Sequence, residues 1–178
     1  LRQGDQKSNA YLTLNPQGLV PALEVDGLVL TQSPAILEWL EETTPEPPLL
    51  PADAVGRARV RAMAALVGCD IHPLNNLRVL KALRDSFDAA PAQTDAWAAR
   101  WITAGFGALE TLVADHGDGW TYGSTPSLAD CYLIPQIYSA RRFHVALDAW
   151  PRLLAIEAAA NAHPAFIAAH PDRQPDAD

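Results

Sequence analysis

The 178-residue sequence is poor in cysteine, in methionine and in positive charge: it has 2 Cys, 1 Met, and 13 Lys and Arg against 21 Asp and Glu. The two cysteines, Cys69 and Cys131, form no CxxC motif and too small a set for a disulfide framework, so a reducing, cytoplasmic setting is the expectation. A formal net charge of −8 argues against a general nucleic-acid binder, because phosphate backbones reward a basic face. No uninterrupted apolar run approaches the ~20 residues of a membrane span, and no secretory leader is visible. The five His are scattered without ligand spacing, so no metal is predicted. The chain has no repeats, and it opens on Leu1 rather than Met. Leu1 to Lys7 reads as mid-protein loop, with the expectation that further residues precede it in the parent protein. What remains is 49% hydrophobic residues, five Trp and 19% charged residues, the composition of a soluble globular protein.

Two territories divide the chain. Residues 20–30, Val-Pro-Ala-Leu-Glu-Val-Asp-Gly-Leu-Val-Leu, read as a β-hairpin, because Asp26-Gly27 between two Val/Leu-rich runs suits a two-residue type I′ turn. In Thr31-Gln-Ser-Pro34, Ser33 is a good N-cap and Pro34 a good first helical residue, with Ile36, Leu37 and Leu40 as the apolar stripe. Residues 43–53 carry four prolines and read as a linker. Beyond it the pattern is helical. Asp53 can cap a helix bearing Val60, Met63, Ala64 and Val67, and Pro73 should break or kink it. Leu74, Leu77, Leu80 and Leu83 continue at helical spacing. Thr94 is taken to open a helix with Trp97, Trp101, Ile102, Leu109 and Leu112. Ser127-Leu-Ala-Asp130 is an acidic capping box before a helix whose buried residues are read as Leu128, Cys131, Ile134, Ile137 and Tyr138. Pro151 and Pro164 can each start a shorter helix.

Four segments make this pattern specific: Asn15-Pro-Gln-Gly-Leu-Val-Pro-Ala-Leu, Thr31-Gln-Ser-Pro-Ala-Ile-Leu-Glu-Trp-Leu, Asp70-Ile-His-Pro-Leu-Asn-Asn-Leu-Arg-Val-Leu and Ser127-Leu-Ala-Asp-Cys-Tyr-Leu-Ile-Pro-Gln-Ile-Tyr. Together they resemble the zeta-class glutathione transferases, the family of maleylacetoacetate and maleylpyruvate isomerases, over essentially the whole chain. The resemblance implies an α/β thioredoxin-like N-terminal domain, here without its first strand and helix, followed by an all-α glutathione-transferase domain. The expected boundaries are 1–43 for the partial glutathione-binding domain, 44–52 for the linker and 53–178 for the helical domain. The family's Ser-rich, thiolate-stabilising motif is expected upstream of Leu1, so no thiolate-activating residue can be named within the chain. A homodimer is implied as well.

Glutathione, the implied cofactor, has a carboxylate at each end and a peptide backbone between them. The resemblance assigns the backbone to Val20-Pro21, where a cis proline leaves the preceding N–H and C=O to pair with the cysteinyl part as an added strand. It assigns the γ-glutamyl carboxylate to Gln32 and Ser33 at a helix start, where unpaired amides and the dipole favour an anion. The glycyl end falls to Gln6. His72, Asn76, Leu77 and Arg78 are implied as further glutathione contacts, and Arg142 as the holder of a substrate carboxylate, while Arg141 should face solvent. On residue type alone, Pro21 is a strand-entry proline, Ser33 a cap, His72 a structural residue beside a helix break, and Arg141-Arg142 a pair answering a helix dipole.

The implied reaction is cis–trans isomerisation of maleylacetoacetate or maleylpyruvate to the fumaryl form. A C=C bond does not rotate at ambient temperature, but reversible thiolate addition makes it temporarily single. The enzyme must bind carboxylates, stabilise developing oxyanion charge and keep a thiol ionised. Arginine suits the first two tasks through its two-pronged hydrogen bonding. Two alternatives stay open: conjugation or dehalogenation of small electrophiles such as α-haloacids, and a transferase-like scaffold without chemistry. Cys69 and Cys131 read as inert packing, Trp97 and Trp101 as core or interface, and Arg57, Arg59 and Arg61 as an exposed or dimer-facing patch.

Overall fold

The structure, a computed structural model, describes residues 4–175. Leu1 to Gln3, the start of the stretch read as mid-protein loop, lie outside the described residues. The chain separates into two compact units, Leu1–Leu49 and Leu50–Asp178, and the divide falls inside the proline-rich segment.

The first unit opens with a 3₁₀ turn, Asp5–Lys7, and helix α1, Asn9–Leu14, capped by the Ser8 side chain, which accepts from the Tyr11 N–H. Strands β1 (Ala22–Val25) and β2 (Leu28–Thr31) pair antiparallel with Ala22 opposite Thr31 and Val25 opposite Leu28. Asp26 and Gly27 both take positive φ, 48° and 78°, as the type I′ turn requires. Helix α2 spans Ser33–Thr43. Its first turn corrects the expected cap. The Gln32 C=O accepts the first helical bond from the Ile36 N–H (3.0 Å), so Gln32, at φ 71°, is the N-cap residue and Ser33 the first helical one. The left-handed bend at Gln32 turns the chain out of β2 before Ser33 is reached.

The second unit is all helical: α3 Ala54–Ala65, α4 Leu77–Phe87, α5 Pro91–His116, α6 Leu128–Arg142, α7 Pro151–Ala162 and α8 Pro164–Ala169. Asp53 caps α3 by accepting from the Gly56 N–H at 2.8 Å. Pro73 does end this run, but in stages. A π-helical turn, Leu66–Ile71, and a 3₁₀ turn, His72–Leu74, precede the break, and Asn76 caps the new helix α4. The core gathers Val60, Met63, Ile71, Ile102, Phe106, Leu109, Leu133, Ile137 and Leu153, all fully buried. Gly105 of α5 leaves room for Ile71 of the π-turn, whose side chain fills the space a Cβ would take, so α5 and the segment before the break pack closely.

Four further expectations are revised. α5 begins at Pro91, not Thr94: Pro91 occupies the first turn and the Gln93 Oε1 accepts the Ala90 N–H at 2.8 Å, while Thr94 is buried and donates to the Pro91 carbonyl. On α6 Leu128 and Ile137 are buried as expected, together with Ala129, Asp130, Leu133, Gln136 and Ala140, whereas Tyr138 is exposed and Cys131 and Ile134 are half-buried. Of the leucine stripe around the break, Leu80 is buried but Leu77 is exposed. Cys69, read as packed, is exposed. Around the break, the π-turn at Leu66–Ile71 shifts the helical phase ahead of the leucine stripe.

Candidate functional site

Within the first unit, one network ties together the segments expected to hold glutathione. Its base is Asn15, a buried residue whose carboxamide accepts the Gln17 N–H (3.1 Å) and donates to the Leu19 carbonyl (2.7 Å), as the Tyr11 hydroxyl also does (2.7 Å). This Asx turn fixes the loop that leads into Val20. Gly18, at φ 58°, lets the loop press against the opening segment, where a Cβ would come within 2.8 Å of the Gln6 carbonyl oxygen. Lys7 donates to the Gln17 carbonyl at 3.2 Å, and the Gln32 Nε2 donates to the Gln17 Oε1 at 2.5 Å. Gln6 and Gln32 thus both meet the Gln17–Gly18 turn that leads into Val20.

The Val20–Pro21 bond is cis. Val20 lies outside the ladder, which begins at Ala22, and its side chain is 51% exposed. No hydrogen bond among the described residues uses its backbone. The Gln6 Oε1 is buried without a hydrogen-bond partner, an unmet acceptor that an incoming N–H would satisfy. Ser33, half-buried in the first turn of α2, carries no side-chain hydrogen bond among the described residues. An unmet acceptor, a free strand edge and an uncapped helix start are what an extended peptide with an anionic head needs, so these residues fit a glutathione-like ligand.

In the second unit the remaining candidates fall in two places. His72, Asn76, Leu77 and Arg78 follow one another around the break, with the turn held by the Trp97 Nε1, which donates to the Leu74 carbonyl at 2.8 Å. Asn76 is already engaged as a cap, its Oδ1 accepting the Arg78 N–H at 3.2 Å, while Leu77 and Arg78 are exposed. His72 is an exposed residue, but partial desolvation of its ring lowers its pKa below 6.5. The ring is neutral at neutral pH and can exchange hydrogen bonds without adding charge. Asn75 between them is buried, with its Nδ2 unpartnered. Arg142 ends α6, roughly 15 Å along the axis from Tyr132, the residue that packs on Gly68 beside the break. Its side chain is exposed and forms no ion pair among the described residues. Arg141 faces solvent as expected, 54% exposed, and there it meets Glu157 on α7 through two nitrogens, a hydrogen bond that raises its pKa.

Sequence reasoning passed over Gln17 and Asn75. Gln17 carries no helix or strand signature, and the one available clue was its place in the Asn15-Pro16-Gln17-Gly18 turn just before Val20-Pro21.

A small α/β unit bearing a cis proline and a helix start, followed by an all-helical unit, has the thioredoxin-like and all-α organisation of a glutathione transferase. Two family models match accordingly, the glutathione S-transferase N-terminal domain over residues 1–43 and the C-terminal domain over residues 91–159. A maleylpyruvate isomerase of a Ralstonia species is 54% identical over 178 residues, 99% of this chain and 84% of that protein. A maleylacetoacetate isomerase of Pseudomonas aeruginosa is 54% identical over 174 residues, 97% of this chain and 81% of that protein. Among solved structures, the holo form of a maleylpyruvate isomerase, described as a bacterial zeta-class glutathione S-transferase, superposes with a TM-score of 0.97 at 52% identity, covering 99% of this chain and 84% of that one. A maleylacetoacetate isomerase of Anaeromyxobacter dehalogenans with glutathione bound in its active site gives a TM-score of 0.87 at 46% identity, covering 99% and 82%. The chain belongs to the glutathione S-transferase family, in its zeta class.

Proposed function

We propose that this protein is a glutathione-dependent cis–trans isomerase that converts maleylacetoacetate or maleylpyruvate to the fumaryl isomer. The observation that carries this is the 54% identity, over nearly the whole chain, to isomerases of both names. When bound, glutathione supplies a thiolate that adds reversibly to the conjugated double bond and is returned unchanged. The chain's own residues hold and orient it. Val20 offers an unpaired strand edge to the cysteinyl backbone. Gln6, through its unmet Oε1, accepts a glycyl-side N–H. Gln32 and Ser33 meet the γ-glutamyl carboxylate at the start of α2, where the positive end of the helix dipole adds to their hydrogen bonds. His72, Asn76, Leu77 and Arg78 contribute further glutathione contacts, with His72 acting as a neutral hydrogen-bonding group. Arg142 binds a substrate carboxylate, for which its exposed guanidinium, without an ion pair among the described residues, is suited. The working form is a homodimer in the cytoplasm. Among the described residues no helix is long and apolar enough to cross a membrane. Residues 1–43 form the glutathione-binding domain and 53–178 the helical domain, joined by the proline-rich segment 44–52.

The test is turnover by the full-length protein of maleylpyruvate and maleylacetoacetate beside chloroacetates, followed by chromatography. Isomerisation of a maleyl acid with glutathione present in far less than stoichiometric amount is expected. Turnover of the haloacids alone would replace this reading with dehalogenation, and no turnover together with no glutathione binding would leave a scaffold.

A further inference from the structure

We propose that Gln17 is a second ligand-binding residue for the γ-glutamyl head, forming with Gln32 a donor–acceptor pair that reads the zwitterionic α-amino acid group. This rests on the reading above, in which the head sits at the start of α2. A γ-glutamyl group ends in an α-carboxylate, which needs donors, and an α-ammonium, which needs acceptors. Gln32 keeps one Nε2 hydrogen for the carboxylate, the other being taken by the Gln17 Oε1 at 2.5 Å, so a further donor strengthens the hold on that group. That bond sets the orientation of both carboxamides. It leaves the Gln32 Oε1 as an acceptor for the ammonium, and it leaves the Gln17 Nε2, with both its hydrogens free, as a donor for the carboxylate beside Ser33 and the second Gln32 Nε2 hydrogen. No other side-chain bond among the described residues uses these two atoms.

The support behind Gln17 is what raises the pair above an incidental surface contact. Its backbone N–H is held by the buried Asn15 side chain, its carbonyl by Lys7, and the residue after it is pressed against Gln6. A loop residue fixed at both backbone groups presents its carboxamide with little ordering cost on binding. Gln32 is likewise constrained, at φ 71° between β2 and α2, and its side chain does not cap its own helix. Two exposed carboxamides hydrogen-bonded to one another at a helix start form an uncharged counterpart to a zwitterion.

Calorimetric titration of the full-length protein separates the possibilities. Glutathione and cysteinylglycine, the same thiol without the γ-glutamyl head, serve as ligands for wild type, Gln17→Ala, Gln17→Glu and Gln32→Ala. Thermal melts check that each variant folds. Gln17→Ala is expected to weaken glutathione about tenfold, the scale of a hydrogen bond to a charged group, and to leave cysteinylglycine unchanged. Gln17→Glu keeps an oxygen facing Gln32 but sets an anion where the donor stood, so it should weaken glutathione at least as much. If Gln17→Glu binds as wild type does, Gln17 contributes no donor and the inference falls. If Gln32→Ala weakens glutathione while both Gln17 variants do not, the inference falls and the site survives. If Gln32→Ala also binds normally, the head lies elsewhere and both readings fall.

Discussion

His72 illustrates how a single residue's surroundings set its chemistry. Partial desolvation of its ring lowers its pKa below 6.5, because loss of water disfavours the imidazolium. The folded protein therefore resists a proton that the unfolded chain accepts. Above pH 6.5 the group is neutral in both states and costs nothing. As pH falls through 6.5 the unfolded chain protonates first, folding loses ground, and the loss levels off below the folded pKa. The His72 ring resonance in an NMR titration should reach its midpoint below 6.5, and a midpoint above that value would remove the neutral role given to it. The two arginines ending α6 divide just as sharply. Arg141 is engaged with Glu157 at the surface, an arrangement worth about 0–1 kcal/mol, so Arg141→Ala should leave stability and turnover close to wild type. Arg142 has no ion pair among the described residues, and Arg142→Ala should raise KM for the maleyl acid about tenfold to a hundredfold, the loss of a charge-assisted pair, with the glutathione Kd unchanged. Turnover and KM come from one steady-state series, the glutathione Kd from calorimetry and the stability from a thermal melt. At this scale the resemblance, not residue type, was informative, since it implied the cis Val20–Pro21 bond that the structure has. It was silent on Gln17, whose importance comes from a bond to a residue 15 positions away.

Elements were legible wherever a local signal names its own position. Asp26-Gly27 set the hairpin, Asp53 set a helix start, and Pro151 and Pro164 open α7 and α8, as their residue types require. Boundaries decided by tertiary contacts were not legible. Thr94 has the type of a cap, but it donates within the first turn to Pro91 and accepts from Arg84 at 3.3 Å. The π-turn at Leu66–Ile71 has no signature, and its room comes from Gly105, far along the chain. Asp130 shows how one element start can hold more than its own helix. Its carboxylate, fully buried, accepts the Ser127 N–H and hydroxyl at 2.7 Å each, the Thr121 N–H at 2.9 Å and the Thr121 hydroxyl. The capping box was readable in Ser127-Leu-Ala-Asp130, whereas the tie to Thr121 was not. Asp130→Ala strands these donors in the interior and should cost about 3–5 kcal/mol, on the scale of breaking a buried charged network. A thermal melt reads this as a fall in Tm of roughly 10 °C, and a drop of only a degree or two would mean that solvent reaches the donors.

Across the whole molecule, the proposed ligand and the stability of the fold are linked. Gln6, Val20, Gln32 and Ser33 are drawn from the opening segment, the strand entry and the start of α2, three stretches that come together only when the first unit is folded. An unfolded chain scatters them and has no comparable affinity for glutathione. Binding to the folded state alone stabilises it by RT ln(1 + [L]/Kd), about 2.7 kcal/mol when the ligand stands at 100 times its Kd. For a chain of this length that corresponds to a rise in Tm of roughly 5–10 °C. The rise should grow with the logarithm of glutathione concentration, and cysteinylglycine, which lacks the γ-glutamyl head, should produce less of it at equal concentration. A scaffold that keeps the architecture without the ligand gives a flat line for both thiols. Scanning calorimetry across a glutathione series distinguishes these outcomes without requiring any substrate, so a retained binding site can be separated from a retained reaction.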